Sequence, residues 1–154
     1  MRISAKTDYA LRALAHLAAD WEVPHSSEKI AAEQDIPAKY LEAILAELSR
    51  TRFIVSQRGH GGGHRLRVAP ERIALADIVR ALNGPLLTVR GECPEDLSYE
   101  ERSGALQLVW VAARVSLRRV LERTTLADLV AGELPEEIAE LTRDPNAWVS
   151  RTYN

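Results

Sequence analysis

Residues 58–68 read RGHGGGHRLRV, with four glycines, two histidines and three arginines in eleven positions. So many glycines rule out a helix, because each carries a large backbone-entropy cost and adds no side chain to pack. Two glycine motifs that cradle phosphates fail on layout. A dinucleotide fingerprint begins at Gly59 and Gly61 but has His64 where its last glycine belongs, and no Gly-Lys-Ser/Thr follows for a P-loop. The flanks are strand formers instead. Phe53, Ile54 and Val55 precede the run, Arg65 to Val68 alternate polar and apolar, and Pro70 stops the second segment. The stretch is therefore expected to be a β-hairpin with a basic, glycine-rich tip.

What precedes it is helical. Ser4 is placed to cap a first helix carrying Tyr9, Ala10, Ala13, Leu14 and Leu17 at spacings of three and four, ending near Asp20. Ser27 is placed to cap a short second helix with Ile30 and Ala31 facing inward. A break at Asp35-Ile36-Pro37 leads into a third helix, AKYLEAILAELSR. That helix gives Leu41, Ile44, Leu45 and Leu48 to a core and leaves Lys39, Glu42, Ala43 and Glu47 on its other face. Helix, short break, helix is a common pattern in small bundles. Followed at once by a basic hairpin it becomes a winged helix-turn-helix, in which the third helix enters a DNA major groove and the wing tip reaches a neighbouring groove or backbone.

The charge pattern agrees with that reading. The net charge of −2 hides a basic middle: five arginines (50, 52, 58, 65, 67) and no acid between residues 50 and 67. From Glu71 onward there are ten basic and fourteen acidic residues. Arginines in such a run neutralise phosphates and release counterions, and glycines let a backbone approach DNA closely.

Beyond Pro70, IALADIVRALNGP reads as a helix stopped by Gly84 and Pro85. An acidic, turn-rich stretch follows, then a long helix, ALQLVWVAARVSLRRVLER. One stripe of that helix is Leu106, Trp110, Ala113, Leu117 and Leu121; another is Leu108, Val111 and Val115. Two apolar faces need two partners: the winged unit for one, a second copy of the chain for the other. Thr125 opens a last short helix, TLADLVAGE. With 46% hydrophobic residues in 154, a core is affordable, and the expected class is mainly α with a small β-hairpin. The expected organisation is a DNA-binding unit at 1–84, an effector or linker segment at 85–102, and a dimerisation helix with tail at 103–154. No apolar run reaches a membrane span, the N-terminus lacks an export signal, and a single cysteine forms no internal disulfide, so a cytoplasmic protein is expected.

Several stretches, in order, resemble the Rrf2-type family of winged-helix transcription regulators: MRISAKTDYALRAL, IPAKYLEAILAEL, RGHGGGHRL, IALADIVRALNGP and TTLADLV. The resemblance implies a dimeric bacterial regulator, usually a repressor, on a palindromic operator in double-stranded DNA. It implies backbone contacts from Arg2, Ser4, Lys6 and Tyr40, and groove contacts from Lys39 and from Arg58 with Gly59, Gly61 and Gly62. Glu42 falls where relatives tune base choice, and Ala43 departs from a longer amide found there. Ser27, Arg50 and His60 complete the expected DNA-facing set. Each has a plainer alternative: Lys39 and Glu42 as solvated helix residues, Tyr40 as packing on the hairpin.

The same resemblance raises the question of a cofactor. Several similar regulators hold an iron–sulfur cluster on three cysteines just before the long helix, with a fourth ligand that is sometimes an acid of the first helix. This chain has only Cys93 there, with Asp8 at the acid position. Clusters want about four ligands, mostly thiolates. The expectation is a regulator without cofactor or metal, with a cluster or redox thiol at Cys93 and Asp8 as the alternative. In Glu92-Cys93-Pro94-Glu95 the flanking acids blunt a thiol's reactivity. His60 and His64 make a poor zinc pair on a mobile loop. Trp110 is placed to line a small-molecule effector pocket. No supported catalytic constellation is present: His25 and Ser26 are neighbours without a placed acid. A protein-interaction module with a decayed helix-turn-helix is disfavoured by the intact arginine run.

Overall fold

The computed structural model describes residues 3–150. Its elements run α1 (Ala5–Ala19), α2 (Ser27–Gln34), α3 (Ala38–Arg50), β1 (Ile54–Gln57), β2 (Gly63–Leu66), α4 (Leu75–Asn83), α5 (Ala105–Leu121), α6 (Leu126–Ala131) and α7 (Glu136–Arg143), joined by short 3-10 turns. This is the mainly helical, hairpin-bearing architecture expected.

Ser4 caps α1 as anticipated, its hydroxyl accepting from the Thr7 N–H. The second cap is corrected by one residue. Ser26, extended at φ −71 and ψ 151, accepts from the Lys29 N–H, and Ser27 is the first residue of α2. Asp35 then closes α2 in a left-handed conformation (φ 49), and Ile36 plugs the turn. Asp tolerates that backbone better than most residues, which is why the chain can reverse here without glycine.

The core forms around α1. Leu14 and Leu17 meet Ile30 of α2, the Leu41, Ile44, Leu45 and Leu48 face of α3, Ile54 and Leu66 of the hairpin, and Ile78 of α4. Those four α3 positions are all buried, as their spacing required. The hairpin is antiparallel, with Ile54 opposite Leu66 and Gln57 opposite Gly63. A third extended segment joins it: His25 and His64 exchange two backbone hydrogen bonds of 2.8 Å.

Leu126 of α6 is fully buried in the same core, and residues 73–75 and 124–126 bond reciprocally across a short bridge. The rear unit expected from residue 103 onward therefore shares its core with the front unit. Between α4 and α5 the chain is irregular with two 3-10 turns, and Gln107 of α5 pins the first of them by donating to the carbonyls of Leu97 and Glu95. The tail adds α7, which buries Ile138. Among the described residues, no helix is long and apolar enough to cross a membrane.

Candidate nucleic-acid interface

The exposed side of α3 follows from the burial of its other side. Lys39, Tyr40, Glu42 and Ala43 lie outward near its N-terminal end, while Leu41, Ile44 and Leu45 hold the helix on the core. Tyr40 stands beside α1. Its ring meets Tyr9 of α1 edge-on at 6.1 Å, and it remains 56% exposed. The Tyr9 ring also carries the Arg12 guanidinium on its face, 5.5 Å from the centroid.

The wing tip is built on glycine chemistry at specific atoms. Gly59 and Gly61 adopt positive φ of 98° and 76°, and the Gly62 N–H donates to the Gly59 carbonyl at 2.9 Å. A Cβ on Gly62 would sit 2.3 Å from the Gln57 carbonyl oxygen, and one on Gly63 would sit 2.4 Å from that of His25. The tip is thus a tight backbone knot that presents Arg58 and His60 to solvent. His64 lies in β2 rather than at the tip. Its ring bonds the Ser56 hydroxyl at 2.9 Å, and burial lowers its pKa, opposed by the nearby Glu28 carboxylate. His60 and His64 therefore differ in role, and the described residues contain no group of three or more His, Cys, Asp or Glu that could hold a metal.

Around this centre the remaining expected contacts sort differently. Arg50 is 77% exposed and only loosely paired with Glu47 at 3.7 Å. Arg52, with φ 65, and Arg67 are exposed on either side of the hairpin. Ser4 uses its hydroxyl as a helix cap, and Arg2 lies outside the described residues. Lys6 is engaged inside the protein: its ammonium contacts both Glu47 carboxylate oxygens at 3.3 and 3.2 Å and the Leu82 carbonyl at 3.1 Å. It ties the start of α1 to the ends of α3 and α4, a role that residue type alone does not reveal.

Helix α5 buries none of its seventeen residues within one chain. Leu108 is 70% and Val115 45% exposed, with Val111 half-buried between them. On another side, Trp110, Ala113 and Leu117 face Leu87 and Val89 across a groove of about 800 Å³, where Trp110 Nε1 donates to the Tyr99 hydroxyl at 3.0 Å.

Cys93 is half-buried just ahead of the 3-10 turn Pro94–Asp96. Its cavity-side neighbours are arginines 80, 114 and 118 and one acid, Glu95. Asp8 does not line that cavity and pairs with Arg12 at 3.5 Å on α1. One cysteine sulfur among guanidiniums is a donor set that does not fit an iron–sulfur cluster, whose iron wants about four anionic ligands. The four-residue spacing of Arg114 and Arg118 places both on one helix face, but only the packing of α4 against α5 adds Arg80 to them.

Residues 3–132 match the model of the Rrf2 family, described as an iron-dependent transcriptional regulator. A Mycobacterium tuberculosis protein with the provisional name of an HTH-type transcriptional regulator is 43% identical over 154 residues, spanning 99% of this chain and 96% of its own. The HTH-type transcriptional regulator CymR of Bacillus subtilis is 33% identical over 132 residues, spanning 85% of this chain and 91% of its own. Its solved structure, described as that of the global cysteine regulator, superposes with a TM-score of 0.74 at 32% identity over 86% of this chain and 98% of that one. IscR of T. potens superposes with a TM-score of 0.69 at 28% identity over 99% of this chain and 95% of that one.

Proposed function

The chain belongs to the Rrf2 family of transcriptional regulators, and from that premise we propose that it is a homodimeric repressor of a palindromic operator, working without an iron–sulfur cluster of the usual kind. Helix α3 enters the major groove with Lys39, Tyr40 and Glu42, and the wing tip of Arg58, Gly59, His60, Gly61 and Gly62 lies against the adjacent groove or backbone. Arg50, Ser27, Ser4 and Arg2 are the candidate flanking phosphate contacts, whereas Lys6 braces the fold. The division of labour is DNA binding at 1–84, signal reception at 85–102 and pairing of two copies through Leu108, Val111 and Val115 within 103–154.

The observation that carries this reading is the tip itself. Gly62, with no room for a Cβ against the Gln57 and Gly59 carbonyls, and Gly59 and Gly61 at positive φ make a tight turn whose outward side chains are Arg58 and His60, beside an outward-facing α3. A hairpin that only filled the surface would not need such a close backbone. Pairing through α5 is supported by its exposed Leu108 and Val115, because apolar side chains on a helix with no buried residue gain most from a second copy.

Selection of duplexes from a random pool, followed by titration at several salt concentrations, tests the proposal. A two-fold symmetric sequence should be enriched. Arg58→Ala should weaken binding to it about 5- to 150-fold, since a good contact contributes ~1–3 kcal/mol, and a phosphate role would lower the salt slope by about one. No enrichment, or Arg58→Ala binding as tightly as the parent, would overturn the reading.

A further inference from the structure

Helices α4 and α5 and the segment between them line an open cavity of about 470 Å³. Its walls hold three guanidiniums, Arg80 of α4 and Arg114 and Arg118 of α5, against one carboxylate, Glu95. The remaining sides are Cys93 and the apolar Leu86 with Pro85. We propose that this cavity is a binding site for a compact anion, a small molecule bearing a carboxylate or phosphate group, and that its occupancy is the signal this regulator reads. The second half rests on the DNA-binding reading above; the first does not.

Charge is the first argument. Arg80 and Arg118 share a single carboxylate, Glu122, so one anion serves two cations. Arg80 also reaches Asp77 at 3.4 Å, but that pair is on the exposed surface, where ion pairs hold weakly. Arg114 pairs with Glu95 through one terminal nitrogen. Each guanidinium has five N–H donors, and these contacts leave most of them unused.

A buried orphan is the second. Arg114 Nε is shut off from solvent and has no hydrogen-bond partner. Buried donors are almost always satisfied, and one that is not calls for an acceptor. Nε and a terminal nitrogen form the side-on edge by which arginine takes an oxyanion in two parallel hydrogen bonds. Lysine would not offer that fork, and a carboxylate or phosphate, with two neighbouring anionic oxygens, fills it more strongly than a neutral acceptor does.

Size and position complete the case. The volume falls within the range of roughly 300–1,000 Å³ that small-molecule sites occupy. Leu86 and Pro85 can cover a short apolar body while the arginines hold the charged end. The site also lies where signal and response meet. Arg80 belongs to α4, whose Leu82 carbonyl accepts from Lys6, which in turn holds Glu47 of α3. Arg114 and Arg118 belong to the helix proposed to join two copies. An anion bridging the two helices would fix their relative placement, and any conformation it binds better becomes more populated.

Cys93 is the chain's sole cysteine, so it reports on the cavity it lines. The full chain would be alkylated with a neutral maleimide in rising inorganic phosphate or succinate, with sodium chloride at matched ionic strength as control. Either anion should slow alkylation at least about threefold, with saturation, where chloride does not. Arg118→Gln should raise the half-saturating concentration tenfold or more. Arg118 is half-exposed, so its loss leaves folding intact, as an unchanged melting curve would verify. Arg123→Gln, whose partner is Glu137 elsewhere, should leave protection as it was. Alkylation slowed no more than by chloride, or slowed equally in Arg118→Gln, would overturn the site. Protection without any change in operator affinity would overturn its role as the signal. Protection by a protein that binds no duplex would uphold the site and reject the DNA-binding reading instead.

Discussion

Replacing Gly62 with alanine separates the shape of the wing from its charge. The new Cβ would meet the Gln57 carbonyl oxygen at 2.3 Å and that of Gly59 at 2.8 Å. Both are backbone atoms, so no rotamer change relieves the clash, and the tip must open by roughly an ångström to reach ordinary contact distances. Opening gives up the bond from the Gly62 N–H to the Gly59 carbonyl and loosens the last rung, Gln57 opposite Gly63. Two hydrogen bonds of net ~0.5–1.5 kcal/mol each set the scale, and they cap the loss because an opened tip leaves the core around Leu14 and Leu48 untouched. Melting should therefore fall by no more than about 2–12 °C, at about 2–4 °C per kcal/mol for a chain of this size. Operator affinity should fall by about tenfold, equivalent to ~1.4 kcal/mol, since Arg58 is no longer held in its binding geometry. Fluorescence anisotropy with the selected duplex, repeated across potassium chloride concentrations, measures this beside a thermal melt. If phosphate contact by the wing is only a matter of charge, affinity will match the parent, and the argument from tip geometry is wrong. If melting collapses, the tip is part of the core, and the cap on the loss is wrong.

Three further outcomes follow from particular contacts. Lys6→Met should lower stability by ~1 kcal/mol, because Glu47 and the Leu82 carbonyl lose their shared donor, yet leave the salt slope of DNA binding unchanged; a slope lower by about one would put Lys6 back on a phosphate. Val115→Asp should give a folded monomer by sedimentation velocity at micromolar concentration and weaken operator binding, and a dimer of unchanged strength would remove that face of α5 from the interface. Burial, with His25 adding to it, lowers the His16 pKa below 6.5, against the opposing pull of Glu33 and Asp20, while Lys29 adds to the lowering. The folded chain then binds fewer protons than the unfolded one, so stability is full above pH 6.5 and declines as pH falls below it. The decline between pH 7 and 5.5 should be shallower in His16→Gln, and parallel melting curves would mean that this ring carries none of the dependence.

The front of the molecule was legible because local rules and the global fold point the same way there. The α3 stripe at 41, 44, 45 and 48 has one burial solution, and the glycines between two strand-forming segments have one turn to make. Legibility failed where a residue's partner is distant in sequence or where two neighbours compete for one role. Ser26 and Ser27 are chemically alike, and only the extended backbone at Ser26 decides which of them caps α2. Lys6 reads as a phosphate ligand by residue type, and the fold gives it Glu47 and Leu82 as partners across separations of 41 and 76 residues. His25 reads as a loop residue, but the pairing of its backbone with His64 draws it under the wing, where its ring sits 3.0 Å from that of His16. Helix α7 has a single buried side chain, Ile138, too little apolar signal to mark a helix in advance.

Cys93 shows why such failures gather near functional sites. Its chain neighbours are the acids Glu92 and Glu95, and from the sequence they set its electrostatic surroundings. Folding reverses that picture by turning Glu95 to Arg114 and bringing Arg80 and Arg118 to the same wall. The residues that surround a site come from several elements, so their order in the chain carries little of its chemistry. A spacing rule finds α3 because a helix face is a local object. It does not find a cavity whose charges stand at 80, 95, 114 and 118, because α4, the 85–102 segment and α5 must all be packed before those charges meet.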